Sequence, residues 1–379
     1  MKWEKVKLGD ICKYVTSGGT PKSSIKEYYE PKQIPWLKTK EVNYCRIYET
    51  ESYISKDGLD NSSAKMIPQN SVIVAMYGQG DTAGRVAINK IPLTTNQACC
   101  NLIIDETKAY YEFVYYQLVT LYEKMVSLKN GGAQPNLNAA IIKSIEIKLP
   151  PLKTQRYIAD ILSSYDNLIE NNQKQIKLLE EAAQRIYKEW FVDLRFPGHE
   201  NTKIVDGVPE GWSRGLLKEL ISVNYGKDHK KAPDDGNIPV YGSGGLMRKC
   251  NKSLFSGEAV LIPRKGSLNN IMYVDETFWT VDTMFYATMK QPHTAVFVYF
   301  FVKAFDMYSM NIGAAVPSMT AKILDAMDVV IPDKETLEKF DKCAKTYFNK
   351  IKTLQGQNER LKIARDLLLA KLMSGEVEV

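Results

Sequence analysis

The chain has 379 residues, of which 44% are hydrophobic and 25% are charged, and its formal net charge is +6. This composition is typical of a soluble globular protein, and at about 100 to 200 residues per domain the length predicts two or three domains. The mildly basic charge permits a nucleic-acid partner without requiring one.

The sequence carries no membrane or secretory signal. It has no run of about 18 apolar residues, so we expect no membrane span. The first ten residues, MKWEKVKLGD, are charged and lack the apolar core of a signal peptide. The six cysteines form no C-x-x-C pair, which argues against a zinc site, and a disulfide framework is not expected without a secretory leader. We therefore expect a reduced, cytoplasmic protein without a metal or a membrane partner.

A pattern near the start of the chain returns far downstream. Residues 3–11 match residues 212–220, with a tryptophan first and apolar residues at the same later positions. Residues 135–150 match residues 317–332 in the same way, at a smaller offset, and both end in an apolar strand followed by proline. The matches are collinear, which chance similarity between two α/β segments does not explain. The sequence therefore predicts an internal repeat whose second copy has shorter loops.

Each copy combines a globular segment with a long helix. Short apolar runs such as residues 71–76 and 259–262 predict strands, separated by clusters of Gly, Asn, Ser and Pro. We expect an α+β protein with two similar globular domains, separated by two long antiparallel coiled-coil helices in a pseudo-twofold arrangement. The predicted segments are domain 1 (1–154), a central helix (155–191), a linker with domain 2 (192–336) and a C-terminal helix (337–379).

Both predicted helices carry a heptad pattern. Apolar residues recur at alternating spacings of four and three from Ile158 to Trp190, and again from Phe340 to Leu372. Arg365 falls on the second pattern and is its predicted weak point. The first pattern spans about 48 Å at about 1.5 Å per residue, which corresponds to roughly 14 base pairs of DNA.

Each pattern contains one asparagine. Antiparallel pairing that places Ile158 opposite Leu372 also places Asn172 opposite Asn358. A buried asparagine pair fixes the register of two helices, because a shifted alignment leaves each amide without a partner. We predict this register role for Asn172 and Asn358; the alternative is that both face solvent at a frayed seam.

The order of domain, helix, domain and helix resembles the specificity subunits of type I restriction-modification enzymes. Several phrases are similar to that family's recurring phrases: WEKVKLGDICKYVTSGG at residues 3–19, IPWLKTKEVN at 34–43, LPPLKTQ at 149–155, WFVDLRFPGHE at 190–200 and VPEGW at 208–212. The second copy departs from the pattern at residues 224–228, where the Ser-Gly-Gly of the first copy is missing.

The resemblance implies a non-catalytic DNA specificity subunit. Each globular domain would read one half of a split, asymmetric site in double-stranded DNA. The helices would set the spacing and dock two modification (methyltransferase) subunits, and restriction subunits would join them. Whether the isolated chain forms a homodimer through its docking surface stays open.

The search for chemistry within the chain finds no catalytic motif. The only Pro-Pro pair follows Leu149, so the amide-holding motif of an adenine methyltransferase is missing. Residues 78–84 resemble a glycine-rich phosphate loop, but a predicted strand follows instead of a helix, so we expect a hairpin loop and no cofactor. The E-x-K of residues 146–148 loses its lysine in the second copy. The histidines are expected to face solvent: His199, His229 and His293.

The loops between strands are the expected DNA-reading elements. Base edges are read by Arg, Lys, Asn and Gln, and phosphates are held by Lys, Arg, Ser and backbone amides. The candidates in domain 1 are Thr16, Ser17, Gly18, Gly19, Lys22, Lys38, Lys40, Tyr77, Gln79, Arg85, Gln134 and Asn136. Those in domain 2 are Lys227, Tyr241, Ser243, Arg264, Lys265, Ser267, Asn269 and Asn270. For each residue the alternative is an ordinary solvated loop position.

Within these loops the side chains suggest different roles. Gln79 and Arg85 have the groups that read adenine and guanine edges, whereas Lys22, Lys38 and Lys40 would hold phosphates. Gly18 and Gly19 permit close backbone approach, and residues 264–270 form the densest cluster that could read bases.

The sequence leaves two alternative functions to compare with this one. A stand-alone nucleic-acid enzyme with a recognition module is disfavoured because the two repeats leave no room for a catalytic domain. A coiled-coil scaffold without a DNA role predicts no dependence of affinity on salt, whereas phosphate contacts predict a steep fall as salt rises.

Overall fold

The computed structural model describes residues 3–129, 136–309 and 318–377. The chain forms two compact units. Unit 1 comprises Met1–Asn171 and Gln357–Val379, and unit 2 comprises Asn172–Gly356. Each unit contains its own sheets and its own hydrophobic core, so the predicted combination of strands and helices in two domains is confirmed.

The described elements of unit 1 are mostly short. Its strands are β1 (Glu4–Lys7), β2 (Cys12–Ser17), β3 (Ile34–Leu37), β4 (Cys45–Ile47), β5 (Tyr53–Ile54), β6 (Val72–Ala75), β7 (Val86–Asn89), β8 (Thr94–Thr95), β9 (Cys99–Ile104) and β10 (Glu146–Leu149). Its helices are α1 (Lys56–Asp60), α2 (Tyr111–Thr120), α3 (Tyr122–Ser127), α4 (Ala139–Ser144) and the first part of α5 (Leu152–Tyr187).

The main sheet of unit 1 is buried on both faces. Its strand order is β2-β9-β6-β7-β4, and a smaller sheet has the order β5-β3-β8. Every residue of β6 is buried, because successive side chains point to opposite faces and each face meets a core. Val72 and Val74 pack with Phe113 of α2, whereas Ile73 and Ala75 pack with Leu37 of β3.

Unit 2 follows the same plan with longer strands. Its strands are β11 (Ile204–Val205), β12 (Val208–Pro209), β13 (Ser213–Leu216), β14 (Ile221–Tyr225), β15 (Ile238–Gly242), β16 (Gly245–Cys250), β17 (Phe255–Pro263), β18 (Met272–Thr280), β19 (Met284–Met289) and β20 (Asp328–Ile331). Its helices are α6 (Ala295–Lys303), α7 (Ala321–Asp325) and most of α8 (Lys334–Ser374), which ends in unit 1.

The sheet of unit 2 also separates two cores. Its strand order is β14-β19-β17-β18-β15-β16. Alternate residues of β17 again divide between the cores: Val260 and Ile262 pack with α6, whereas Ala259 and Leu261 join the cluster around Phe278. Helix α6 has the sequence AVFVYFFVK and is almost entirely buried, as expected for a helix that is apolar on all sides.

The predicted repeat is confirmed by the backbone pairing. Strand β1 pairs antiparallel with β10, so that Glu4 faces Leu149, and β13 pairs with β20, so that Ser213 faces Ile331. Just beyond these strands, Leu8 N donates to Ile145 O at 2.9 Å, and Leu217 N donates to Met327 O at 2.8 Å. The first residue of each pair follows the match of residues 3–11 with 212–220, and the second follows the match of residues 135–150 with 317–332.

The repeat extends to helix caps. The Asn138 side chain accepts a hydrogen bond from Ile141 N at 2.9 Å, and Thr320 Oγ1 accepts one from Ile323 N at 3.4 Å. Asn and Thr are both favoured N-cap residues, so the sequence difference at this position preserves the cap of α4 and of α7.

The two long helices contribute to both units. In unit 1, Ile158 and Leu162 of α5 share a core with Leu369 and Leu372 of α8. In unit 2, a π-helical turn at Lys188–Val192 continues α5, and the ring of Trp190 lies 5.8 Å from that of Phe340. None of the helices in the described part of the chain is long and apolar enough to span a membrane.

Candidate nucleic-acid interface

The loop that follows β2, residues 18–22, is tied to the chain before β9. Gly19 N donates to Thr95 O at 2.9 Å, and Gly18 N donates to Cys99 O at 3.3 Å. A Cβ atom on Gly18 would lie 2.1 Å from Thr95 O, and one on Gly19 would lie 2.2 Å from Ala64 N. The close approach that these glycines permit is therefore to the protein's own backbone, and their approach to DNA stays a prediction.

Unit 2 builds the same turn without the Ser-Gly-Gly sequence. Lys227 N donates to Thr280 O at 2.9 Å, and Gly226 N donates to Met284 O at 3.0 Å. A Cβ atom on Gly226 would lie 1.9 Å from Val281 O, so this glycine is required as Gly18 is. Lys227 thus occupies the place of Gly19. We call residues 18–22 and 226–230 the first loop of unit 1 and of unit 2.

A tryptophan holds each first loop. Trp36 Nε1 donates to Gly19 O at 3.0 Å, and Trp279 Nε1 donates to Lys227 O at 3.1 Å. Both indoles are buried. The sequence repeat gives no indication of this agreement, because Trp36 lies on β3 and Trp279 on β18.

The lysines predicted to hold phosphates have different surroundings. Lys22 is exposed, and Lys38 Nζ lies 5.0 Å from the centre of the Trp36 ring. Lys40 forms an exposed ion pair with Glu51, whose hydrogen bond raises the pKa of Lys40. An exposed pair of this kind contributes little to stability, so Lys40 can exchange its partner at low cost.

Residues 76–85 connect antiparallel strands β6 and β7, which confirms the predicted hairpin. Arg85 donates to Asn43 Oδ1 at 2.9 Å and pairs with Asp81, and the hydrogen bond with Asp81 raises the pKa of Arg85. Gln79 is exposed and Tyr77 is half-buried. Arg85 would therefore have to leave Asp81 to reach a base.

The segment before α4 lies beside this hairpin. Leu137 N donates to Met76 O at 3.0 Å, which places the half-buried Asn136 close to the hairpin. Gln134, the other candidate in this segment, lies outside the described residues. Thr16 and Ser17 are on β2, where they pair with Asn101 and Cys100 of β9.

The matching loop of unit 2 follows β17. Met319 N donates to Arg264 O at 2.9 Å, as Leu137 N does to Met76 O in unit 1. The Arg264 guanidinium lies 5.4 Å from the centre of the Tyr225 ring, at the end of β14. Lys265 and Ser267 are exposed and Ser243 is half-buried; most of the predicted loop 311–318 lies outside the described residues.

Several residues of unit 2 that are predicted to meet DNA make hydrogen bonds within the unit, and their contact with DNA stays a prediction. The Asn269 side chain donates to Asp306 Oδ1 at 3.0 Å and accepts from Met307 N at 2.8 Å. Asn270 Nδ2 donates to Ser243 O at 2.9 Å, and Tyr241 donates to Glu276 Oε1 at 2.5 Å. The bond from Asn270 connects the loops after β15 and β17, and those of Asn269 connect the loop after β17 to the segment that follows α6.

The described residues contain no group of three or more His, Cys, Asp or Glu side chains that could hold a metal ion. His293 is exposed, with its Nδ1 2.8 Å from Oδ2 of the buried Asp341, and His199 is half-buried, with its Nδ1 2.8 Å from Phe196 O. The prediction that the histidines face solvent thus agrees with His293, whereas His199 and His229 are only partly exposed.

Comparison with known proteins identifies the family. The family described as "Type I restriction modification DNA specificity domain" matches residues 1–181 and 209–362, well over half of the chain. The chain belongs to this specificity family. The two matched segments correspond to the two copies of the repeat, each with one first loop.

Two similar proteins and one solved structure match nearly the whole length of the chain. The MjaIX specificity subunit of a type I restriction enzyme from Methanocaldococcus jannaschii is 28% identical, over 100% of this chain and 94% of that protein. The HindI specificity subunit from Haemophilus influenzae is 22% identical, over 99% of both. The crystal structure of an S subunit from M. genitalium has a TM-score of 0.64 at 18% identity, covering 98% of this chain and 96% of that one, which supports the fold.

Proposed function

We propose that this chain is the DNA-reading subunit of a type I restriction-modification system, and that each unit reads one half of a split, asymmetric site. The observation that carries this proposal is that both units build two loops, the first loop and the loop after β6 or β17, on equivalent backbone hydrogen bonds but with different side chains. Gly19 corresponds to Lys227, and Met76 corresponds to Arg264. A constant scaffold with changed side chains is what two readers of different sequences require.

The exposed charges of these loops favour the same role. Lys22 and Lys40 in unit 1, and Lys227 and Lys265 in unit 2, reach solvent and would hold phosphates. Arg85 and Arg264 would read base edges after leaving their present partners.

We propose further that α5 and α8 pair antiparallel as a coiled coil and set the distance between the half-sites. Within unit 1, Ile158 shares a core with Leu372, and within unit 2 the rings of Trp190 and Phe340 are 5.8 Å apart. Both combinations are expected from the antiparallel alignment of the heptads. Asn172 and Asn358 are buried, which favours their role in fixing the register over a solvent-facing one.

The partners would supply the chemistry. The helices expose large apolar side chains, which favours their use as docking surfaces for two modification (adenine methyltransferase) subunits, which restriction subunits then join. These side chains are Tyr157, Leu168, Leu178, Ile363 and Leu367. The chain itself would contribute recognition and spacing.

The test is to co-express the chain with its cognate modification subunit and to map methylated adenines across the host genome. We expect one split motif with two short halves at a fixed spacing. Replacing residues 1–154 with those of another specificity subunit should change one half only. The matched exchange of residues 192–336 should change only the other half.

Two results would count against the proposal. A methylation pattern that does not depend on this chain would remove its role in specificity. A change in both halves after either exchange would show that the units do not read separately.

A further inference from the structure

We propose that Trp36 and Trp279 are positioning residues for DNA recognition, each fixing the first loop of its own unit through its indole N–H. This inference rests on the proposed function and adds the device that aims the loops. Neither tryptophan has to touch DNA for this role, because each acts on the carbonyl of a loop residue.

The two indoles reach equivalent carbonyl oxygens. Gly19 and Lys227 are equivalent because their amides donate to Thr95 O and Thr280 O respectively, both at 2.9 Å. The oxygen of each residue accepts from an indole, at 3.0 Å in unit 1 and 3.1 Å in unit 2. Both sides of this loop residue are thus held by the sheet, one through its N–H and one through its C=O.

Each unit has a corresponding pair of parallel strands, and the tryptophan lies on a different strand of that pair in each unit. In unit 1, β3 runs parallel to β8, and Trp36 is paired with Thr94. In unit 2, β15 runs parallel to β18, and Val240 is paired with Trp279. The next residues confirm the correspondence, since Asn96 N donates to Leu37 O at 2.9 Å and Val281 N donates to Tyr241 O at 3.0 Å. Unit 1 therefore carries the indole on the first strand and unit 2 carries it on the second.

This arrangement goes beyond the packing of a large side chain. A buried indole needs an acceptor for its N–H, but a core-filling role does not specify which acceptor it takes. Two units that place the indole on different strands nevertheless direct it to the same carbonyl. The shared element is the hydrogen bond to the loop, so the loop is what the tryptophan controls.

The carbonyl group that accepts from the indole lies close in the chain to residues that are proposed to contact DNA. In unit 1 it precedes Lys22 by three residues, and the face of the same indole lies 5.0 Å from Lys38 Nζ. In unit 2 the carbonyl belongs to Lys227 itself. Losing the bond leaves the loop held on one side only, so the lysines would hold the phosphates in more orientations. The unit would then be less firmly fixed in register on the DNA, which lowers its discrimination between bases.

The experiment uses the chain assembled with its modification subunits and DNA duplexes that carry the mapped site. Affinity is measured for that duplex and for duplexes with one base pair changed in either half. We expect W36F to reduce discrimination about tenfold in one half and to leave the other unchanged. We expect W279F to act on the opposite half.

Trp212 supplies the matched control. Its Nε1 donates to Asp333 Oδ2 at 2.9 Å, at the start of α8 and outside the first loop. W212F also removes an indole hydrogen bond, so it should lower the melting temperature without changing discrimination in either half. If W36F or W279F lowers the melting temperature too far, replacing the tryptophan by benzothienylalanine removes only the N–H and keeps the shape.

A rescue variant makes the test specific. W36V/T94W gives unit 1 the residues that unit 2 has at this strand pair, and we expect it to regain discrimination that W36F loses. Unchanged discrimination in W36F and W279F, or an equal loss in both halves, would overturn the positioning role. If the unsubstituted complex itself does not distinguish the changed duplexes, the proposed function fails instead.

Discussion

The two units use different chemistry at one set of equivalent positions beside the long helices. In unit 1, the Tyr116 hydroxyl donates to Asp166 Oδ2 at 2.5 Å, and Arg365 Nη1 donates to Asp166 Oδ1 at 2.6 Å. Burial, followed by the nearby Asp166 carboxylate, raises the pKa of Tyr116, so its hydroxyl stays protonated as a donor. Charges and hydroxyl groups thus connect α2, α5 and α8.

The repeat places apolar residues at the same positions of unit 2. Phe300 corresponds to Tyr116, Phe348 to Asp166 and Ala183 to Arg365. The rings of Phe300 and Phe348 are 6.0 Å apart, and Ala183 is fully buried beside them. An ionic contact depends on every partner, because removing one leaves a buried charge, whereas an aromatic contact loses stability in proportion to the volume removed.

Unit 1 uses charge elsewhere in the same region. Arg46 of β4 is almost fully buried and donates to Asn167 Oδ1 of α5 at 2.5 Å. Lys90 Nζ donates to Glu112 Oε1 at 2.9 Å, and Tyr48 donates to Glu170 Oε2 at 2.9 Å. Unit 2 also has a charged link between its sheet and α8, since Lys345 Nζ lies 2.9 Å from Glu258 Oε1. At the equivalent positions compared above, we expect unit 1 to respond to changes of charge and unit 2 to changes of volume.

The largest effect is expected from Phe300→Ala in unit 2. Removing this buried ring should lower the free energy of unfolding by about 3 to 5 kcal/mol. Urea denaturation followed by tryptophan fluorescence measures the loss. Phe301→Ala is the control, because Phe301 is on the same helix but only partly buried. Equal losses in the two variants would show that the aromatic contact does not decide the stability of unit 2.

Arg365→Ala in unit 1 should cost somewhat less. It leaves the Asp166 carboxylate without its cation, and because Arg365 keeps 22% of its side chain exposed, we expect a loss of about 2 kcal/mol. Lys362→Ala removes an exposed charge from the same helix and should change the free energy of unfolding by less than about 0.5 kcal/mol. If both variants cost the same, the ionic contact contributes no more than a surface charge.

An exchange of chemistry sharpens the comparison. The variant Y116F/D166F/R365A gives unit 1 the residues of unit 2, and we expect it to recover most of the stability that Arg365→Ala loses. Buried ion pairs are often replaced by apolar residues without a loss of stability. A triple variant less stable than Arg365→Ala would show that the surroundings in unit 1 require the charges.

The smallest change in stability is expected at the starts of the long helices. Here the charged residue belongs to unit 2 and the uncharged one to unit 1. Pro151 precedes α5, whereas Asp333 precedes α8 and accepts from Thr336 N at 2.9 Å. Burial raises the pKa of Asp333, but hydrogen bonds from Thr336 and Trp212 outweigh it and hold the pKa below its ordinary value. Asp333→Ala should cost about 1 kcal/mol at neutral pH.

The pH dependence of this loss has a definite sign. A carboxyl group with a lowered pKa in the folded state stabilises the fold above its ordinary pKa of about 3.9, and this stabilisation is lost as the pH falls through the folded value. The difference between Asp333→Ala and the unsubstituted chain should therefore shrink in acid. Glu338→Ala, an exposed change in the same helix, should show no such convergence; a loss independent of pH would contradict the ionic cap.

The sequence predicts what depends on local pattern. The repeat offsets, the strands around Val74 and Leu261 and the β6–β7 hairpin are all confirmed, because apolar periodicity and turn residues specify them. The first loop of unit 2 is difficult to locate from the sequence. What it shares with the first loop of unit 1 is a set of backbone hydrogen bonds, and only one glycine is retained.

Long-range partners escape such reasoning. Arg365 interrupts the apolar heptad pattern of α8, so the sequence predicts weak helix pairing there. The structure shows that its guanidinium donates a hydrogen bond to Asp166, almost 200 positions away. The sequence does not reveal that Trp36 and Trp279 are equivalent, for a similar reason: their equivalence depends on which strands are neighbours in the sheet. The hydrogen bonds of the Asn269 and Asn270 side chains likewise depend on Asp306 and Ser243, which are distant in the sequence.

The pairing of β1 with β10 has a consequence for synthesis on the ribosome. Strand β1 is made long before its partner at Glu146–Leu149, so it cannot complete this pairing until the residues between the two strands have been made. At about 5 to 20 residues per second, that delay is roughly 7 to 30 seconds. A shorter delay, roughly 6 to 24 seconds at the same rate, separates β13 from β20. Each half of the nascent chain thus closes late, after its central sheet has had time to form.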